Sequence, residues 1–188
     1  MLIYSHHVKE DDTMNYRVEQ KAAFTVRGYT KEIAKIENNE NFYAISHFWS
    51  NLTDEKINQL VSISDGSVQG VLGVSDSNES KKEQFNYTIG TSVNHEESAK
   101  NELNDRPFPA SSWAIFKCIG AISAGIKAID ENQPFELNNL MQLKQKKYAP
   151  WLDESILENT EIPRIEFYPL GDMEAADYLC ELWIPIKQ

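Results

Sequence analysis

Two short apolar segments each carry a carboxylate with an aromatic residue two positions later. One is Tyr178-Leu179-Cys180-Glu181-Leu182-Trp183-Ile184-Pro185-Ile186, and the other is Arg164-Ile165-Glu166-Phe167-Tyr168. Side chains alternate faces along a strand, so Glu181 and Trp183 share one face and Cys180, Leu182 and Ile184 the other. Glu166 and Tyr168 likewise share a face opposite Ile165 and Phe167. Such pairs would line a pocket with apolar walls and a negative floor, suited to a cationic, aromatic small molecule. A carboxylate gains several-fold more from a cation where the dielectric is low than it does in water. A cation over a Tyr or Trp face adds roughly 0.5–2 kcal/mol. Burying Glu181 against a helix would strand a charge, so its face is expected to open on a cleft. The plainer alternative for either acid is a surface carboxylate.

Tyr87, Tyr168 and Trp183 are the expected pocket walls. Trp49 and Trp113 follow them, because both lie in patterns where core packing is the ordinary role of an aromatic. Other chemistry finds little footing. His6, His7, His47 and His95 make no metal-ligand spacing with one another or with Cys and carboxylates, so neither metal nor cofactor is expected. There is no Gly-rich phosphate loop and no nucleophile elbow.

The elements that must hold these residues read as follows. Residues 1–13 are polar and form a leader or linker. A strand is expected over Tyr16–Tyr29, and a helix over Asn38–Val61 with a break near Thr53. Strands follow over Ser67–Ser75 and Gln84–Val93. Residues 94–110 read as a linker. The order then repeats with a strand over Ser111–Ile119, helices over Ala121–Asp130 and about Phe135–Trp151, and strands over Ile162–Tyr168 and Asp177–Ile186. Strand–helix–strand–strand thus occurs twice, which suggests a duplicated module with repeats at about 14–93 and 111–188. Aligning the final strands sets Phe85 against Glu181 and Tyr87 against Trp183. The expected class is α+β, with antiparallel sheets around a central cleft and helices outside.

Composition narrows the function. With 188 residues, 41% hydrophobic and 11% aromatic, the chain is long enough for a sizeable core. A net charge of −11 argues against direct nucleic-acid binding, which needs a basic surface. The one basic cluster, Lys144 to Lys147, reads as a solvated helix face. No apolar run suits a membrane span, and no signal peptide is evident, so a cytoplasmic setting is expected. Cys118 and Cys180 read as buried free thiols.

The chain resembles the GyrI-like small-molecule-binding family, the effector-binding module of bacterial AraC- and MerR-type transcription regulators. The resemblance rests on Phe24-Thr25-Val26-Arg27-Gly28, Trp49, Phe85-Asn86-Tyr87-Thr88-Ile89-Gly90 and Trp113-Ala114-Ile115-Phe116 through Gly120. It continues in Trp151-Leu152, Pro163 to Tyr168 and Glu181 to Ile186, and so runs from about Met14 to the C-terminus. The family often has a proline after the Trp-Leu pair, where Asp153 stands here. The resemblance implies a duplicated βαββ fold with an aromatic cleft in which acids pair with lipophilic cations. By position, Glu166 and Glu181 match those acids.

Three functions follow. The first is a small-molecule effector-binding domain, either stand-alone or the sensor of a regulator whose DNA-binding part lies outside residues 1–13. The second, also implied by the family, is hydrolysis of cyclopropane-bearing electrophiles, with Glu181 as base and Trp183 stacking on the substrate. The third is an acidic inhibitor that binds DNA gyrase.

Overall fold

The computed structural model describes residues 16–37, 40–77, 82–94, 102–131, 140, 144, 156 and 158–187. The strands are β1 (Tyr16–Lys21), β2 (Phe24–Ala34), β3 (Val71–Ser77), β4 (Gln84–Val93), β5 (Asn104–Phe108), β6 (Ser111–Ile119), β7 (Arg164–Tyr168) and β8 (Leu179–Ile186). The helices are α1 (Phe42–Ser50), α2 (Asp54–Ile63) and α3 (Ile122–Asp130). All eight strands join one antiparallel sheet in the order β1-β6-β8-β7-β3-β4-β2-β5. The fold is therefore α+β, but with a single sheet where two were expected, because β3 pairs directly with β7 through Val71↔Tyr168 to Ser75↔Arg164.

Local chemistry sets the element ends. The expected long helix divides at Asn51-Leu52-Thr53. Asn41 caps α1 by accepting from the Ala44 amide at 3.1 Å, and Thr53 caps α2 by accepting from Lys56 at 3.3 Å. Asp54 and Glu55 add negative charge to the positive end of α2. The expected strand over Tyr16–Tyr29 is two strands at opposite ends of the sheet, with β1 on β6 and β2 on β4. The expected linker over 94–110 contains β5, an edge strand on β2, where Pro107 is tolerated because one side of an edge needs no partner. The leader over 1–13 lies outside the described residues. So does the helix expected over Phe135–Trp151, apart from Leu140 and Lys144, both of which are helical. No helix among the described residues is long and apolar enough to cross a membrane.

The sheet separates two cores. On one face the helices pack. Tyr29, Phe85 and Ile89 bury against Ile45 of α1 and Leu60 of α2, while Phe116, Cys118, Cys180, Leu182 and Ile184 bury beneath Ile122 and Ile126 of α3. The other face holds Val26, Leu72, Val74, Phe108, Trp113, Ile115, Ile165 and Trp183. That face is concave. Phe24 of β2 lies 6.4 Å from Trp113 of β6, although a flat sheet would hold strands five places apart about 24 Å from one another. The curl brings edge to edge, and aromatic side chains fill the hollow.

Close approach of β2 and β4 depends on Gly28, which registers with Gly90. A Cβ at Gly28 would stand 2.2 Å from the Ile89 carbonyl oxygen and 2.5 Å from the Gly90 Cα. Backbone cannot yield as a side chain can, so Gly28→Ala should destabilise the fold by about 3 kcal/mol or more, at or above the upper end for overpacking. Urea unfolding would show this as a lowered midpoint, and an unchanged midpoint would contradict the packing.

Candidate functional site

β7 sends its side chains to both faces of the sheet. Ile165 and Phe167 enter the concave core, while Glu166 and Tyr168 turn toward the helices. Glu166 is 2% exposed, so its charge must find partners inside the protein. It finds three partners there. The Tyr87 hydroxyl donates to Oε2 at 2.8 Å and the Tyr168 hydroxyl donates to the same oxygen at 2.6 Å. The Lys144 ammonium pairs with Oε1, and also with Oε2 of Glu40 at 3.0 Å. Gly73 registers opposite Glu166 and supplies the space. A Cβ there would fall 2.2 Å from the Tyr87 hydroxyl oxygen and 3.0 Å from Glu166 Oε2.

Aromatic rings surround this carboxylate. Trp49 of α1 donates its indole N–H to the Tyr87 oxygen at 3.1 Å and sets its edge against Tyr168, with ring centroids 5.0 Å apart. Lys144 Nζ lies 5.3 Å from the centroid of Phe42 and 5.7 Å from that of Tyr87. The result is a cage for one positive charge, built from two carboxylates and two ring faces, with Trp49 and Tyr168 behind them. Burial and the Glu166 charge push both tyrosine hydroxyls well above their usual range, so they remain O–H donors. Burial opposes the charge on Lys144, but Glu166 and Glu40 outweigh it and raise its pKa. Burial likewise opposes the charge on Glu40, and Lys144 overcomes it, leaving that carboxyl below its usual range.

The second acid lies elsewhere. The ladder between β7 and β8 pairs Ile165 with Trp183 and Phe167 with Glu181, which puts Glu181 and Trp183 on the concave face. Trp183 donates its indole N–H to Glu181 Oε2 at 2.7 Å, and Arg17 reaches Oε1 at 2.8 Å. Lys21 lies 4.2 Å over the Trp183 ring. Trp183 is only 3% exposed, packed near Phe167 and Trp113.

The expected residues therefore fall into two groups. Glu166, Tyr168, Tyr87 and Trp49 meet on the helix face, while Glu181, Trp183 and Trp113 meet on the opposite face. The shared cleft expected for both acids is not formed, because a strand displays successive residues on opposite faces and the register sets Glu166 beside Leu182, not Glu181. Trp113 is fully buried core. Lys144, expected on a solvated helix face, is buried. Glu40, Phe42, Gly73 and Lys144 were missed. Only Lys144 had a signal, standing four residues after the buried Leu140 and hence on the same helical face. Among the described residues no three His, Cys, Asp or Glu side chains gather as a metal site.

Two outcomes follow. Gly73→Ala should displace the Tyr87 hydroxyl from Glu166 and cost about 1–3 kcal/mol of stability, measured by urea unfolding, with the Tyr87 and Tyr168 hydroxyl proton signals shifting in NMR. For pH, the raised pKa values of Tyr87, Tyr168 and Lys144 favour folding below their ordinary values of 10.0 and 10.5, and that contribution fades as pH rises through the higher folded values. The lowered pKa of Glu40 favours folding above its ordinary 4.5, and that contribution fades as pH falls through the lower folded value. Unfolding free energy from this cage should thus be level from about pH 5 to about pH 10 and decline outside that window.

Solved structures show the same fold. SAV2435 bound to tetraphenylphosphonium is 21% identical, with 93% of this chain and 94% of that chain covered at a TM-score of 0.71. The EcmrR C-terminal domain is 15% identical, with 93% and 98% covered at 0.52. EcmrR in its complex with DNA is 12% identical, with 93% of this chain and 57% of that one covered at 0.51. No curated protein matches this chain in sequence. The sequence profile of the GyrI-like small molecule binding domain matches residues 14–187, and the chain belongs to that family.

Proposed function

We propose that this domain binds lipophilic organic cations, holding the positive charge against Glu166 between the rings of Phe42, Trp49, Tyr87 and Tyr168. The observation that carries the reading is the Glu166 carboxylate. It is buried, with one oxygen taken by two tyrosine hydroxyls and the other turned to an ammonium group. A charged group kept in so dry a place is expensive unless a cation satisfies it, and an aromatic cage strengthens that cation's hold. The ligand held by the structurally similar SAV2435, tetraphenylphosphonium, has this chemistry.

The same reading extends to context. The strand orders β2-β4-β3 and β6-β8-β7, joined at β3 and β7, support two copies of one βαββ module back to back. The similarity to EcmrR, which is solved in a complex with DNA, supports a role as the sensor part of a transcription regulator, in which ligand binding shifts a DNA-binding partner; the setting proposed for it is cytoplasmic. Hydrolysis by Glu181 draws no support from the geometry, since Arg17 and Trp183 engage both its oxygens.

Titration calorimetry with tetraphenylphosphonium separates the two acids. Wild type should bind, Glu166→Gln should lose about tenfold or more in affinity, and Glu181→Gln should stay within about threefold of wild type. Equal affinity in wild type and Glu166→Gln, or loss confined to Glu181→Gln, would overturn the assignment.

A further inference from the structure

The cage on the helix face already holds a cation, and that cation belongs to the protein. Lys144 Nζ contacts Glu166 and Glu40 and lies within 6 Å of two ring centroids, the surroundings an organic cation would need. We infer that Lys144 is a tethered competitor, a built-in stand-in for the ligand, which every cationic effector must evict before it can reach Glu166. The inference rests on the cation-binding reading above and adds the control of that same site.

Three observations favour eviction of Lys144 over any other rearrangement. First, Glu166 is only 2% exposed and Lys144 stands against Oε1, so a cation arriving at that oxygen must displace a group that now covers it. Second, Tyr87 and Tyr168 are fixed by paired strands, Trp49 by a capped helix, and the Tyr87 hydroxyl by the gap at Gly73. Lys144 instead reaches the cage on a four-carbon stem from outside the sheet, so its ammonium can leave without breaking a strand ladder. Third, the two tyrosine hydroxyls on Oε2 leave Oε1 to the cation, whether Lys144 or a ligand supplies it. Exchange of one for the other therefore keeps the Glu166 charge compensated at both ends of the process, which an empty cage would not.

The arrangement has functional consequences. A tethered cation competes at an effective concentration set by its short attachment, so weak cations common in a cell are held off. A ligand must add aromatic contacts to the same charge to win. Departure of Lys144 from the cage then converts occupancy into a change at a second place in the chain, as a sensor requires.

Two measurements test this with tetraphenylphosphonium as the probe. In calorimetry at pH 8, Lys144→Met should bind about tenfold tighter or more, since the apparent affinity of wild type is reduced by the fraction of time Lys144 occupies the cage. In wild type, acetylation by an N-hydroxysuccinimide ester followed by mass spectrometry should find Lys144 slow without the cation and several-fold faster at saturation. Lys127, whose side chain is 72% exposed, serves as an unchanged reference. This arm decides the matter if Lys144→Met does not fold. Wild type that binds the probe while Lys144 stays protected would overturn the competitor role and leave the cation site standing. So would a folded Lys144→Met that binds no tighter than wild type. Absence of binding by wild type and Lys144→Met together would overturn the cation reading, and the competitor with it.

Discussion

A negative charge sits out of water at Glu166, and much of the helix face is arranged to make that tolerable. Removing a carboxylate from water costs several kcal/mol even after relaxation, so each neighbour has a defined task. Tyr87 and Tyr168 donate to one oxygen, Lys144 neutralises the other, and Trp49 fixes Tyr87 from behind. Gly73 is a glycine because the Tyr87 hydroxyl occupies the place of its side chain. Strand pairing between β3 and β7 lies beneath all of this, since it sets Gly73 directly opposite Glu166.

The two buried acids of the sheet are satisfied in different ways. Glu181 is held by Arg17 of the edge strand β1 and by Trp183 of its own strand, while Lys21 covers the Trp183 ring. Its partners come from the sheet itself, and they tie β1 to the rim of the concave core. Glu166 takes its counter-charge from Lys144, which belongs to neither the sheet nor the named helices. The counter-charge of Glu181 thus sits on a strand of the same sheet, and that of Glu166 on a separate segment.

Much of the fold was legible from residue patterns. The strand-like runs Ser111–Ile119 and Gln84–Val93, bounded by turn residues, marked β6 and β4 to the residue, and the apolar spacing with a break at Thr53 marked α1 and α2. The parity of Glu166 with Tyr168, and of Glu181 with Trp183, was legible as well. The relative phase of β7 and β8 was not, because it is set by hydrogen bonding between strands and a shift of one residue exchanges the two faces. Setting Phe85 and Tyr87 against Glu181 and Trp183 carried that one-residue error, since Phe85 and Tyr87 face the helices. β5 was hidden by its polar residues and Pro107, which an edge strand accepts and a central strand would not. The burial of Lys144 depends on Glu40 and Glu166, which are remote in sequence, so its place four residues after Leu140 was the only local trace of it.

The most direct test of a site centred on Glu166 is the side-chain carboxyl ¹³C signal of each acid, followed during titration of the wild-type domain with tetraphenylphosphonium. The Glu166 signal should move and saturate with the cation, while that of Glu181 stays where it was. Movement of Glu181 with Glu166 unmoved would contradict the assignment of the charge site to the helix face.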